Sequence, residues 1–244
     1  MTAQLQAELL KQRSTRTNVG LLLGLLALVV FAVLLHALSL PADELVSASD
    51  QVLVFAWGTL GALFAGLVGA MAITGEIRHG TIRPTFLVTP RRGTVVQAKV
   101  VASALIGLGF GLLAEALAVA VGSAVLAARG IDIQLDRSDV ALLLIGGMAA
   151  AALWAAIGVG VGALVRNQVA TLVGIFAWLL FVENLLTSFV PDAAKFAPGS
   201  AGAAITGENR DALLDPAVGA LLLAAYAAVA ATAGLFATVR RDVP

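Results

Sequence analysis

Six apolar stretches, each long enough to cross a lipid bilayer, dominate this chain. They run from about 19 to 40, 52 to 74, 100 to 128, 140 to 165, 169 to 190 and 217 to 239. A helix needs roughly 20 apolar residues to cross about 30 Å of hydrocarbon. None of the six alternates with period two, which argues against a transmembrane barrel. Backbone groups in lipid must be paired within the segment, and only helices then remain. The reading is an all-α membrane protein with six transmembrane helices. Of the 244 residues, 60% are hydrophobic and 12% charged. A chain this apolar cannot cover a surface with polar groups, so a water-soluble enzyme is excluded.

The first stretch exceeds the usual 7–15 residues of a signal-peptide core and follows 18 residues that include Glu8, Lys11, Arg13 and Arg16. It reads as a retained span. Residues 2–17 then suit a short interfacial helix, with Leu5, Leu9 and Leu10 toward the membrane and Glu8, Lys11 and Gln12 between them.

Net charge is zero, yet the charges divide sharply between the two sets of connecting segments. Segments 1–18, 75–99, 166–168 and 240–244 hold 11 of the 15 Lys and Arg residues. Segments 41–51, 129–139 and 191–216 hold four of them and ten of the 15 acids. The Lys/Arg bias places the first set, with both termini, in the cytoplasm. The result is one transmembrane domain over 1–244, with an interfacial helix (1–18), a cytoplasmic loop (75–99) and an extracellular loop (191–216).

Several chemistries lack their residues. There is no cysteine, and His36 and His79 lie too far apart for a His-x-x-x-His zinc pair, so no metal site is expected. No Gly-x-x-x-x-Gly-Lys-[Ser/Thr] occurs. Gly158, Gly160 and Gly162 match a dinucleotide fingerprint in spacing, but they sit inside an apolar span with no preceding strand and read as a helix-packing face. No concentrated basic domain points to nucleic acid. Small residues at four-residue spacing (Gly20 and Gly24; Gly61, Ala65 and Gly69; Gly107 and Gly111; Gly158 and Gly162) let helix backbones approach closely.

The most informative segment follows the second span: Gly75-Glu76-Ile77-Arg78-His79-Gly80-Thr81-Ile82-Arg83-Pro84-Thr85-Phe86-Leu87-Val88-Thr89-Pro90-Arg91-Arg92. Thr81 is a candidate N-cap, Pro84 falls in the first turn, and Thr89 before Pro90 stops the helix. About eight helical residues remain, roughly 12 Å, too short to span. Ile82, Phe86 and Leu87 are read as an exposed apolar ridge, rimmed by Arg78, Arg83, Arg91 and Arg92.

This run, with Gln97-Ala98-Lys99 leading into the third span, resembles the coupling loop of type-2 permeases of ATP-binding-cassette (ABC) exporters. Further likeness lies in Glu8-Leu9-Leu10-Lys11-Gln12-Arg13-Ser14-Thr15-Arg16 and in Glu183-Asn184-Leu185-Leu186 before Pro191. Pro84 departs from the family pattern, where a helix former is expected. The resemblance implies a permease subunit of the bacterial plasma membrane, exporting a drug, peptide or lipid by alternating access. It also implies that the permease pairs with a second copy or a close paralogue. ATP and Mg would be bound on a separate ATPase subunit, leaving no cofactor and no catalysis in this chain. Glu76, Arg78, Thr81, Ile82, Arg83, Phe86, Leu87 and Arg91 would couple that ATPase to the spans.

Two ionisable residues, Glu115 and Glu183, fall well inside spans, and a carboxylate there costs about 2.5–3.5 kcal/mol on an insertion scale. They are candidates, with Asn184, for the substrate path or dimer seam. The alternative for each is an internal tether, with Thr187 a candidate donor to Glu183. Two other functions stay open: an ion-gradient-driven transporter with Glu115 as its proton site, and a non-transporting scaffold. His36 and the three tryptophans read as interfacial or packing residues.

Overall fold

The computed structural model describes residues 2–89, 91–208 and 212–240. Every regular element among them is helical. Helix α1 (Thr2–Ser14) precedes the first span, α2 (Arg16–Ser39). The second span joins α3 (Ala48–Phe55) to α4 (Leu60–Arg78) through a 3-10 turn at 56–59. A seven-residue helix, α5 (Ile82–Val88), leads to the third span, α6 (Arg92–Ala128), and the fourth, α7 (Arg137–Val165). The fifth joins α8 (Gln168–Ala177) to α9 (Glu183–Phe189) through one π turn. Short helices α10 (Pro191–Ala194) and α11 (Pro198–Ile205) precede the last span, α12 (Pro216–Arg240). These six helical units are long and apolar enough to cross a membrane, so the chain is a multi-pass α-helical membrane protein.

Helix α7 is the hub, packing along α4, α6 and α12. Its small residues explain the closeness. A Cβ on Gly158 would stand 2.0 Å from the Gly66 carbonyl, and one on Gly160 would stand 2.3 Å from the Ala230 carbonyl. The fingerprint-like glycines are therefore a helix-packing face. Gly69, Gly107 and Gly111 likewise face α7 backbone at 2.0–2.6 Å. Gly20 and Gly24 differ: nothing lies within 4 Å of a Cβ at Gly20, and one at Gly24 would meet only the Phe64 ring, at 3.9 Å, so no backbone approaches that pair closely. The second span is the most enclosed and the fifth and sixth the least, 78% against 17% buried, which leaves apolar faces of the outer helices for lipid or another chain.

Three expectations change. Helix α6 begins eight residues before the apolar run, so the 75–99 segment shrinks to a short elbow around α5. Residues 191–208 are folded, with Ala194, Ala197, Ala201, Ala204 and Ile205 buried against the bundle. Helix α1 forms, but its polar face is the buried one: Glu8 is 1% exposed and Leu10 is 70% exposed. The reason is Lys99, whose charge is also buried and requires a carboxylate.

Candidate functional site

Segments 8–16, 75–92 and 97–99 converge at the basic end of the bundle. Glu8 of α1, Glu76 of α4 and Lys99 of α6 meet there with Lys11. Lys99 Nζ stands 2.8 Å from Glu8 Oε2 and 2.8 Å from Glu76 Oε1. Lys11 Nζ bridges the same two acids at 3.0 and 2.9 Å. Two bases and two acids cancel in formal charge. Gln12 adds a hydrogen bond from Nε2 to Ser103 Oγ, 3.0 Å. At the half-exposed Lys11, burial works against the charge, but hydrogen bonds to Glu76 and Glu8 outweigh it and raise the pKa above the usual lysine value. A cavity of about 910 Å³ opens beside the cluster, lined by Glu8, Lys11, Gln12, Glu76, Arg78 and Thr85 among others.

The elbow starts where α4 ends. Gly80, at φ +69°, donates its N–H to the Ile77 carbonyl while the Thr81 N–H reaches the Glu76 carbonyl. This double bond pattern around a left-handed residue closes the helix and turns the chain sharply. Thr81 stands at the start of α5, but its hydroxyl caps no backbone N–H there. Pro84 falls in the first turn, where a missing donor costs little.

The apolar ridge is split. Ile82 and Phe86 are buried, packed with Ile73, Val95, Val96 and Ala163. The Arg92 guanidinium lies 5.5 Å from the Phe86 ring centroid. Leu87 keeps 82% of its surface and Val88 keeps 85%. Reading all three as exposed was therefore right only for Leu87, because a seven-residue helix lying across helix ends must seat one side. Arg78, Arg83 and Arg91 are exposed around the patch, and Arg78 Nη1 reaches Gln168 Oε1 at 3.4 Å. Thr89 Oγ1 bonds Gln4 Oε1 at 3.1 Å and ties the far end of α5 to α1.

The intramembrane acids lie far from this elbow. Glu183 is an internal tether. Its carboxylate accepts the Gly199 N–H at 2.8 Å, the Ser200 N–H at 3.0 Å and the Trp178 indole N–H, so it caps the start of α11. The π turn makes this reach possible by bringing Trp178 and Glu183 onto one face. Thr187 donates to the Glu183 backbone carbonyl and not to its carboxylate. Asn184 is exposed and bonds the Leu180 carbonyl of its own helix.

Glu115 has no such partners. It is fully buried, and neither carboxyl oxygen has a hydrogen-bond partner among the described residues. Two glycines make room for it: a Cβ on Gly58 would stand 2.2 Å from its Oε2, and one on Gly147 would stand 2.3 Å from its Cγ. Gly146, next to Gly147 on α7, packs on Ile205 and Thr206, the residues that lead into Glu208 after α11. Sequence reasoning passed over Lys99, Glu8 and Glu208. The signal for the first two was a lone lysine at the start of an apolar run with unmatched acids on neighbouring segments. Glu208 gave no signal, because its loop reads as solvated. His36 accepts from Trp57 Nε1 at 2.8 Å, an interfacial pair.

No family model matches this chain, and no curated protein resembles it closely enough to count as a relative.

Proposed function

We propose that this chain is the membrane subunit of an ABC exporter. Two copies, or one copy with a close paralogue, would form the path, and a separate subunit would hydrolyse ATP. The observation that supports the reading most is α5. One side of it is clamped to α1, α4 and α6, through Gln4, Ile73, Val95 and Val96. The other side leaves Arg83, Leu87, Val88 and Arg91 uncovered. A push on that uncovered side travels to α4 and α6 through the packed Phe86 and the Lys99 cluster, because both are rigid and buried. An apolar pair rimmed by cations at the cytoplasmic side suits a groove on another polypeptide. Substrates would be lipophilic, a drug, peptide or lipid, moved across a bacterial plasma membrane.

The test is purification of the tagged full chain from its native membrane, followed by ATP hydrolysis assays. A partner carrying a Walker A motif is expected in stoichiometric amount, and the doubly substituted Leu87→Asp, Val88→Asp chain loses it while keeping its melting temperature. Purification of the chain alone, with ATP leaving it unaffected, would sink this reading and favour a carrier that uses Glu115.

A further inference from the structure

Glu115 and Glu208 are brought together by backbone, at two places. On α7, the adjacent glycines Gly146 and Gly147 face different partners. A Cβ on Gly146 would meet the Ile205 carbonyl at 2.4 Å and Thr206 Cα at 2.9 Å, while Gly147 lies against the Glu115 side chain. On the 56–59 turn, Gly58 lies against Glu115 and the Thr59 hydroxyl reaches Glu208. Adjacent α7 glycines thus set the Glu115 side chain beside the 205–206 backbone that leads into Glu208.

The chain aims Glu208 inward by a second left-handed turn. Gly207, at φ +77°, donates to the Ala204 carbonyl at 3.0 Å, and the Glu208 N–H reaches Ala203 at 3.3 Å. Thr206 Oγ1 adds a contact to Glu208 Oε1 at 3.5 Å. Glu115 by contrast fills a glycine cradle without a donor among the described residues. An ionised carboxylate is strongly disfavoured in such a place, so the neutral acid is the form that fits.

We propose that Glu115 and Glu208 form a proton-binding site that holds the α11 segment docked in the bundle and releases it when the protons leave. Docking requires that the two acids not both be charged, because like charges at close range in a low-dielectric site repel strongly. Among the described residues, the other charged groups on the packed elements do not relieve this. Arg137 and Asp139 on α7, Asp50 on α3, Arg240 on α12, and Lys99 and Arg129 near the ends of α6 sit roughly two helical turns or more from the pair. Asp215, before α12, is exposed. Glu183 sits at the other end of α11, engaged with Gly199 and Ser200.

The sign follows from linkage. Burial raises the Glu208 pKa to about 7, against hydrogen bonds from Thr59 and Thr206 that lower it. An acid whose pKa is higher when docked favours docking below its ordinary value near 4.5 and loses that advantage as pH rises toward 7. The inference is independent of the ATPase partner and needs only the isolated chain.

The chain has no cysteine, so spin labels can be placed at will. Labels at Ala212→Cys, just after the segment, and Glu44→Cys, at the same end of the bundle, report docking as an electron-spin distance distribution in lipid nanodiscs. Between about pH 5 and about pH 9, either side of the Glu208 value, the released population should grow on the order of tenfold or more. In the same labelled chain, Glu115→Gln and Glu208→Gln should each keep the docked distance at both pH values. Identical distributions at both pH values in the unsubstituted labelled chain would overturn the proposal. So would a full shift surviving in both glutamine variants. Should Glu115→Gln not purify as a monodisperse protein, Glu208→Gln carries the prediction alone.

Discussion

Lys99 and Glu8 meet at 2.8 Å across 91 positions of sequence, with 1% of either side chain exposed. This one contact fixes α1 against the third span and decides which face of α1 is buried. A charge-poor chain placing its charges here makes the junction a mechanical joint, because a buried ion pair tolerates little displacement.

Removing one partner should therefore be costly. Lys99→Met leaves Glu8 and Glu76 buried with only Lys11 to offset them, and breaking a buried pair typically costs about 3–5 kcal/mol. Thermal unfolding in detergent should show a large fall in melting temperature. The charge-swapped Glu8→Lys, Lys99→Glu chain should recover part of it, since it restores one opposite pair.

The two sides of α5 should respond in opposite ways. Phe86→Ala empties a buried site and is expected to lower stability by about 3–5 kcal/mol. Leu87→Asp and Val88→Asp, on the exposed side, should stay within about 0.5 kcal/mol of the parent. Denaturation of the three purified proteins reads the contrast directly.

Gly80 sits at φ +69°, where an L side chain is strained by roughly 1–2 kcal/mol. Gly80→Val should destabilise the elbow by about that amount, while Gly80→Asn, which tolerates the left-handed region, should cost less. Proteolytic nicking of the 79–91 segment should rise in the valine variant and stay near the parent rate in the asparagine variant.

The cradle around Glu115 predicts a double-mutant coupling. Gly147→Ala puts a methyl group 2.3 Å from Glu115 Cγ, and overpacking of this kind costs about 1–3 kcal/mol. Combined with Glu115→Ala, most of that cost should vanish, giving a coupling energy on the order of 1 kcal/mol or more. Additive effects of the two changes would mean that the glycine does not make room for the acid.

Glu183 should act as a helix cap. Glu183→Ala removes the acceptor for the Gly199 and Ser200 N–H groups and should cost about 1–2 kcal/mol. Hydrogen exchange at those two amides should accelerate, and amides in the middle of α7 should not change.

Much of the architecture was legible from hydropathy and charge. Span number and the short helix after the second span follow from local composition, because bilayer thickness and backbone hydrogen bonding leave few choices. One helix stop was legible as well: Thr89 ends α5, as the Thr89-Pro90 pair predicts. The glycine spacing of α7 announced a packing face for the same reason. Gly20 and Gly24 carry the same spacing on α2 yet no helix backbone of this chain comes close to them, because spacing states that an approach is permitted and not what approaches.

What only the tertiary structure decided is the use of the polar residues. Local periodicity turned Leu5, Leu9 and Leu10 of α1 toward the membrane, but the partner that reverses this, Lys99, is remote in sequence. Ile82 and Phe86 are core while Leu87 is surface because α5 crosses the ends of other helices, an arrangement its own seven residues do not specify. Glu183 found donors and Glu115 did not, because the first faces the start of α11 and the second faces glycines. Apolar length is a one-dimensional quantity set by the solvent, and the sequence determined it. Whether a buried charge is paired depends on distances across the fold, which no single segment contains.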